Sequence, residues 1–107
     1  MKNAEEFWVN LKKQMLSNSK VIEGKMMSSD ALKYKSKVFV FFWKDQLGCK
    51  LGKAYDLKTL GISKWEYLSP FKSKPPMKSW YMIDQEHADQ WLNISKRALG
   101  QLERELE

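Results

Sequence analysis

VFVFFWKDQLGCKL, residues 38–51, opens with six consecutive β-branched or aromatic residues and closes on an alternating run. Val38–Trp43 is the strongest strand signal in the chain, because such side chains suit a pleated, packed surface. Asp45 and Gln46 supply a turn; Leu47, Cys49 and Leu51 then fall on one face, with Gly48 and Lys50 on the other. Two antiparallel strands follow. If Val38, Val40 and Phe42 face helices, Phe39, Phe41 and Trp43 need a cover of their own. Either a second layer over a central strand or a dimer interface would provide it.

Upstream, KMM and ALKY read as short strands with a turn at Lys35–Lys37, and SNSKVIEGK reads as turn formers ending at Gly24. Asn3 is a helix cap, Glu5 and Glu6 suit the positive helix start, and Phe7, Leu11 and Met15 repeat every four residues. A first helix is expected over Ala4–Ser17. Downstream, KAYDLKTLGI reads as a short helix or an irregular crossing ended at Gly61. KWEYL and MKSWYMI are two further strands, joined by the proline- and lysine-rich SPFKSKPP. Pro75 and Pro76 lack amide hydrogens and so suit a surface or edge position. Asp84 caps a last helix over Gln85–Leu106, where Ala88, Trp91, Leu92, Ser95, Leu99, Leu102 and Leu106 form one stripe. The expected fold is α+β: an antiparallel sheet of about five strands with helices packed on one face, in the order α-β-β-β-(α)-β-β-α.

A length of 107 residues suits a single domain over the whole chain, and an apolar fraction of 43% with five Trp, five Phe and four Tyr is enough to build its core. No stretch reaches the roughly 18 apolar residues of a membrane span, and the first residues are charged rather than signal-like. A cytoplasmic protein without membrane partners is the expectation. Cys49 and His87 are the only residues of their types, which rules out an internal disulfide and disfavours a structural metal or other cofactor.

The five glycines never reach the spacing of a phosphate loop, which excludes nucleotide binding of that kind. His87, beside Glu86 and Asp89, reads as a solvated or locally paired surface residue, and Cys49 as an inert thiol on the core side of its strand. No enzyme activity is expected. The net charge of +6 is uneven: residues 20–80 hold thirteen Lys against five acids, while Arg97 and Arg104 lie outside that region. Lys33, Lys35 and Lys37 alternate around the first strand turn, so that one side could carry them, and Lys72, Lys74 and Lys78 flank the proline turn. Together with Trp65, Tyr67, Trp80 and Tyr81 these lysines form a candidate polyanion site that would stack bases and hold phosphates. The alternative is that the lysines solubilise the protein and the aromatics fill its core.

GKMMSSDALKY, DQLGCKL (Asp45–Leu51), PMKSWYMID and the later Trp91 with Arg97–Leu99 occur in an order that resembles the TfoX N-terminal domain family, found in bacterial competence regulators and in stand-alone proteins. Ser28 and Ser29 stand where that family carries glycines after its Lys-Met. The resemblance covers roughly Val21–Leu102. It implies an antiparallel sheet packed by helices and a role in transcriptional regulation alongside protein partners, with no catalytic residues to carry over. The function expected is therefore a non-enzymatic regulatory module working through an unidentified protein partner, with direct nucleic-acid binding as the competing reading and a homodimer if the second sheet face lies open.

Overall fold

A computed structural model describes residues 3–69 and 73–106. Helix α1 (Ala4–Met15) is followed by strands β1 (Val21–Met26), β2 (Ser29–Tyr34), β3 (Lys37–Trp43) and β4 (Gln46–Lys50). A 3-10 turn (Leu57–Leu60) leads to β5 (Trp65–Leu68) and β6 (Met77–Ile83), then a 3-10 segment (Gln85–Gln90) runs into α2 (Trp91–Leu106). The fold is α+β. All strand pairs are antiparallel in one sheet of order β1-β2-β3-β4-β6-β5, so the described residues form six strands where about five were expected.

The first strand begins upstream of the expected KMM run, at Val21, and includes Gly24. The turn signal of this glycine is overridden because the aliphatic stem of Lys33 lies across it from β2, in the space a Cβ would need. The chain therefore stays extended through Gly24 and pairs along the whole of β1. The first three hairpins have two-residue turns, Met27–Ser28, Lys35–Ser36 and Lys44–Asp45, and all six residues have positive φ. Such mirror-type turns match the twist of the flanking strands, and they favour glycine at the second central position. Ser28, at φ 69°, occupies such a position, whereas Ser29 already belongs to β2. Ser28→Gly is expected to stabilise the chain by about 0.5–1 kcal/mol and Ser29→Gly to destabilise it, as read by thermal melts.

The helices cover one face. Trp8, Leu11 and Met15 of α1 and Trp91, Ile94, Ala98 and Leu102 of α2 pack on Leu32, Val40, Leu47, Cys49, Tyr81 and Ile83. Trp8 stacks on Phe42 with ring centroids 5.8 Å apart, and Trp91 meets the same ring edge-on at 6.0 Å. A second cluster, Ala31, Phe41, Leu68, Trp80 and Met82, with Met26 and Val38 packed against it, lies on the other face.

The division of β3 between these faces differs from simple alternation. Leu32 pairs with Val40 but Lys33 pairs with Val38, which leaves Phe39 as an extra, bulged residue. Phe39, Val40 and Phe42 belong to the helix-side core, while Val38 and Phe41 face outward. Val38 and Phe39 thus exchange the faces expected from period two, because a bulge holds two successive residues on one side.

The last helix is shorter than expected, and the reason is His87. Its φ of −104° and ψ of 23° break the helix before Trp91. Nε2 accepts hydrogen bonds from the Ser63 and Lys64 amides at 3.2 and 3.1 Å. His87 is half-buried and locally paired, and so tethers the start of β5.

Candidate binding face

Among the described residues no helix lies on the outward side of the sheet, whose middle row runs Gly24, Ala31, Phe41, Gly48, Met82, Glu66 from one edge to the other. Small residues flank the one large ring. Phe41 lies over Gly48, where any Cβ would collide with it, and packs at 5.5 Å against Trp80. Phe41 is fully buried although no helix covers it. The sheet itself provides the cover by curling: Met27, from the β1–β2 turn, and Glu66–Ser69, from the opposite edge, line one cavity of about 340 Å³. Trp43, Leu68 and Met82 complete its mainly apolar wall.

Trp43 stands at this cavity with 43% of its surface exposed, and Met27 with 52%. The Lys44 ammonium sits 4.6 Å from the Trp43 ring centroid, a cation–π contact that leaves the ring accessible. Trp43 was visible in the sequence as an outward strand residue. Its partnership with Glu66 and Leu68 was not, since only the curl of the sheet brings them together.

The lysine set divides. The β2–β3 turn, the end of β4 and the start of β6 lie at the same end of the sheet, so Lys35, Lys37, Lys74 and Lys78 gather at that end. Lys33, Lys35 and Lys37 do not share a side, however. With a two-residue turn between them, Lys33 lies opposite outward-facing Val38 and Lys37 opposite Tyr34, which is buried on the helix side. Lys35 rests over the Tyr34 ring at 5.5 Å. Lys72 lies outside the described residues. The four aromatics proposed for stacking are mostly engaged: Trp80 and Tyr81 are buried, and Trp65 and Tyr67 pack on Tyr81 at 5.1 and 5.4 Å.

Other polar groups are tied into the fold. Tyr81 donates its hydroxyl hydrogen to the Gly52 carbonyl at 2.8 Å and accepts from the Tyr55 amide at 2.9 Å, which pins the segment after β4. Burial pushes the Tyr81 phenol up, and burial pushes the Cys49 thiol far above its ordinary value, keeping it protonated and unreactive.

Sequence reading missed a latch between α1 and the first hairpin. Asp30 accepts from the Trp8 indole at 2.9 Å and from Lys12 at 2.6 Å, and Lys12 also reaches Glu23 at 3.3 Å. Burial pushes the Asp30 carboxyl up, but the bonds from Lys12 and Trp8 outweigh it and hold the group below the usual range. A lowered native value stabilises the fold above the ordinary carboxylate range and ceases to do so as pH falls through it. Asp30→Asn is expected to cost about 1–2 kcal/mol at neutral pH. The melting curves of mutant and wild type should converge in strongly acidic buffer.

Among the described residues, no group of three or more His, Cys, Asp or Glu is placed to hold a metal, and no helix is long and apolar enough to cross a membrane. Set against protein-family models, curated proteins and solved structures, the chain finds no match.

Proposed function

We propose that the chain is a non-enzymatic binding module of the regulatory kind, acting through protein contacts made by the helix-free face of its sheet. The observation that carries this reading is Trp43, exposed beside an apolar cavity formed by both ends of the curled sheet. Tryptophans on such concave surfaces dominate binding energy at protein interfaces, because they exchange a large area of contact for little lost freedom. The resemblance to competence-regulator N-terminal domains supports the same reading and points toward transcriptional regulation in a bacterial cytoplasm.

Parallel affinity capture with wild-type, Trp43→Asp and Val9→Asp baits tests it. Val9 is an exposed apolar residue on α1, away from the sheet. A partner held by wild type and by Val9→Asp but lost from Trp43→Asp is the expected result. A set of captured proteins unchanged by Trp43→Asp would overturn the reading.

The second reading, direct polyanion binding, rests on the gathering of Lys35, Lys37, Lys74 and Lys78 at one sheet end. It requires affinity for random duplex or single-stranded nucleic acid that falls steeply with salt. Absence of binding at low salt removes it.

A further inference from the structure

We infer that β1 is a docking edge for a second copy of this chain, the two β1 strands pairing antiparallel about a two-fold axis at Gly24. The proposal is independent of what the cavity binds.

β1 is the terminal strand of the sheet and is bonded on one side only. The other edge is blunted, since β5 has four residues and its register shifts between Tyr67 and Leu68. β1 has six residues in unbroken register with β2. A regular edge with unpaired amides and carbonyls is a template for another strand.

The hairpin geometry states which groups are free. Residues flanking a two-residue turn form a hydrogen-bonded pair, and such pairs alternate along the ladder. Met26, Gly24 and Ile22 therefore bond to β2, while Lys25 and Glu23 direct their amides and carbonyls outward; the Val21 amide already bonds the Asn18 carbonyl at 3.0 Å. Pairing β1 with its own copy must join outward-directed residues.

Charge selects the register. An axis at Glu23 sets Glu23 against its own copy, and an axis at Lys25 does the same for Lys25; like charges directly opposed are unfavourable. An axis at Gly24 sets Glu23 against Lys25 of the second copy, twice over by symmetry. It also sets Ile22 against Met26 of that copy on the outward face. Ile22 is 52% exposed in the single chain, and this pairing would cover it. Gly24 at the axis presents no side chain, and Glu23 and Lys25 are both exposed.

Two experiments with the whole chain test the proposal. Sedimentation over a concentration series should show a dimer, weakened about ten-fold or more by Lys25→Glu or by Glu23→Lys and recovered in the double charge swap. Lys25→Glu leaves the Glu23–Lys12 contact in place, and circular dichroism confirms that each variant is folded. In the second experiment, the Ile22→Cys/Met26→Cys variant is oxidised. The new thiols are about 13 Å apart along one strand and cannot bridge within a chain, but a non-hydrogen-bonded pair brings Cα atoms to about 4.5 Å across the dimer. A cross-linked dimer is expected. A monomer at all concentrations, a dimer indifferent to both charge reversals, or failure to cross-link would each overturn the proposal.

Discussion

Phe41→Ala is expected to cost about 3–5 kcal/mol, a large share of what a domain of this size has to lose, and to shift its urea midpoint sharply downward. Phe41 is fully buried on a face without helices, where it is the centre of the small cluster that includes Trp80, Met82, Leu68 and Ala31. Nothing nearby can collapse into its place: Gly48 opposite it has no side chain, and Ala31 has only a methyl group. The same geometry makes Gly48→Ala costly, by about 1–3 kcal/mol, because the new Cβ meets the ring. The two effects should not add. Once the ring is gone the Gly48 methyl fills part of the void, so the double mutant is expected to be more stable than the sum of the single losses implies. Additive losses would show that ring and glycine do not share the space, and the account of this face would fail.

What the sequence disclosed was whatever depends on near neighbours. The Asn3 side chain accepts from the Glu6 amide at 2.9 Å, and Asp84 does the same for Glu86, as their cap positions implied. The β3–β4 hairpin and the amphipathic stripe of α2 were equally legible, since each is written in a local period. The bulge at Phe39 was not, because every residue from Val38 to Trp43 is apolar and a one-residue slip leaves no polar residue on the wrong face to betray it. Gly24 misled for a related reason: a glycine in a strand marks close approach as well as a turn, and only the diagonal Lys33 distinguishes the two. The turn between Lys35 and Lys37 was located but not measured. Its length of two residues sends Lys33 and Lys37 to opposite faces, where the alternation of lysines had suggested one. The cavity was out of reach altogether, for Met27 and Glu66 meet only through the curl of the whole sheet.

Deleting Phe39 is expected to leave the fold in register at the cost of one ring, and deleting Phe41 to leave it in register at a larger cost. In β3 the pairs on either side of Phe39 are Val40 with Leu32 and Val38 with Lys33, so removing the bulged residue joins them into a regular ladder. Every other side chain keeps its face. The cost is then the lost burial of one phenylalanine ring that is fully enclosed, about 3–5 kcal/mol, close to that of Phe39→Ala. Phe41 sits in the regular part of the ladder, paired to Ala31 on one side and Gly48 on the other. Its removal can also be taken up by the bulge: Val38 keeps its pair with Lys33, Phe39 moves to the place opposite Leu32 and Val40 to the place opposite Ala31. Phe42 then stays between Trp8 and Trp91, but a valine stands where the Phe41 ring packed on Trp80, and a phenylalanine must fit the site of Val40. The second deletion is therefore expected to cost more than the first, through a void on one face and overpacking on the other. Urea unfolding and amide exchange check both: a cooperative transition with protected β2 and β4 amides for each deletion, at a lower urea midpoint for the second. Loss of the cooperative transition on deleting Phe39 would mean that it is an ordinary ladder residue, and the bulge would have to be withdrawn.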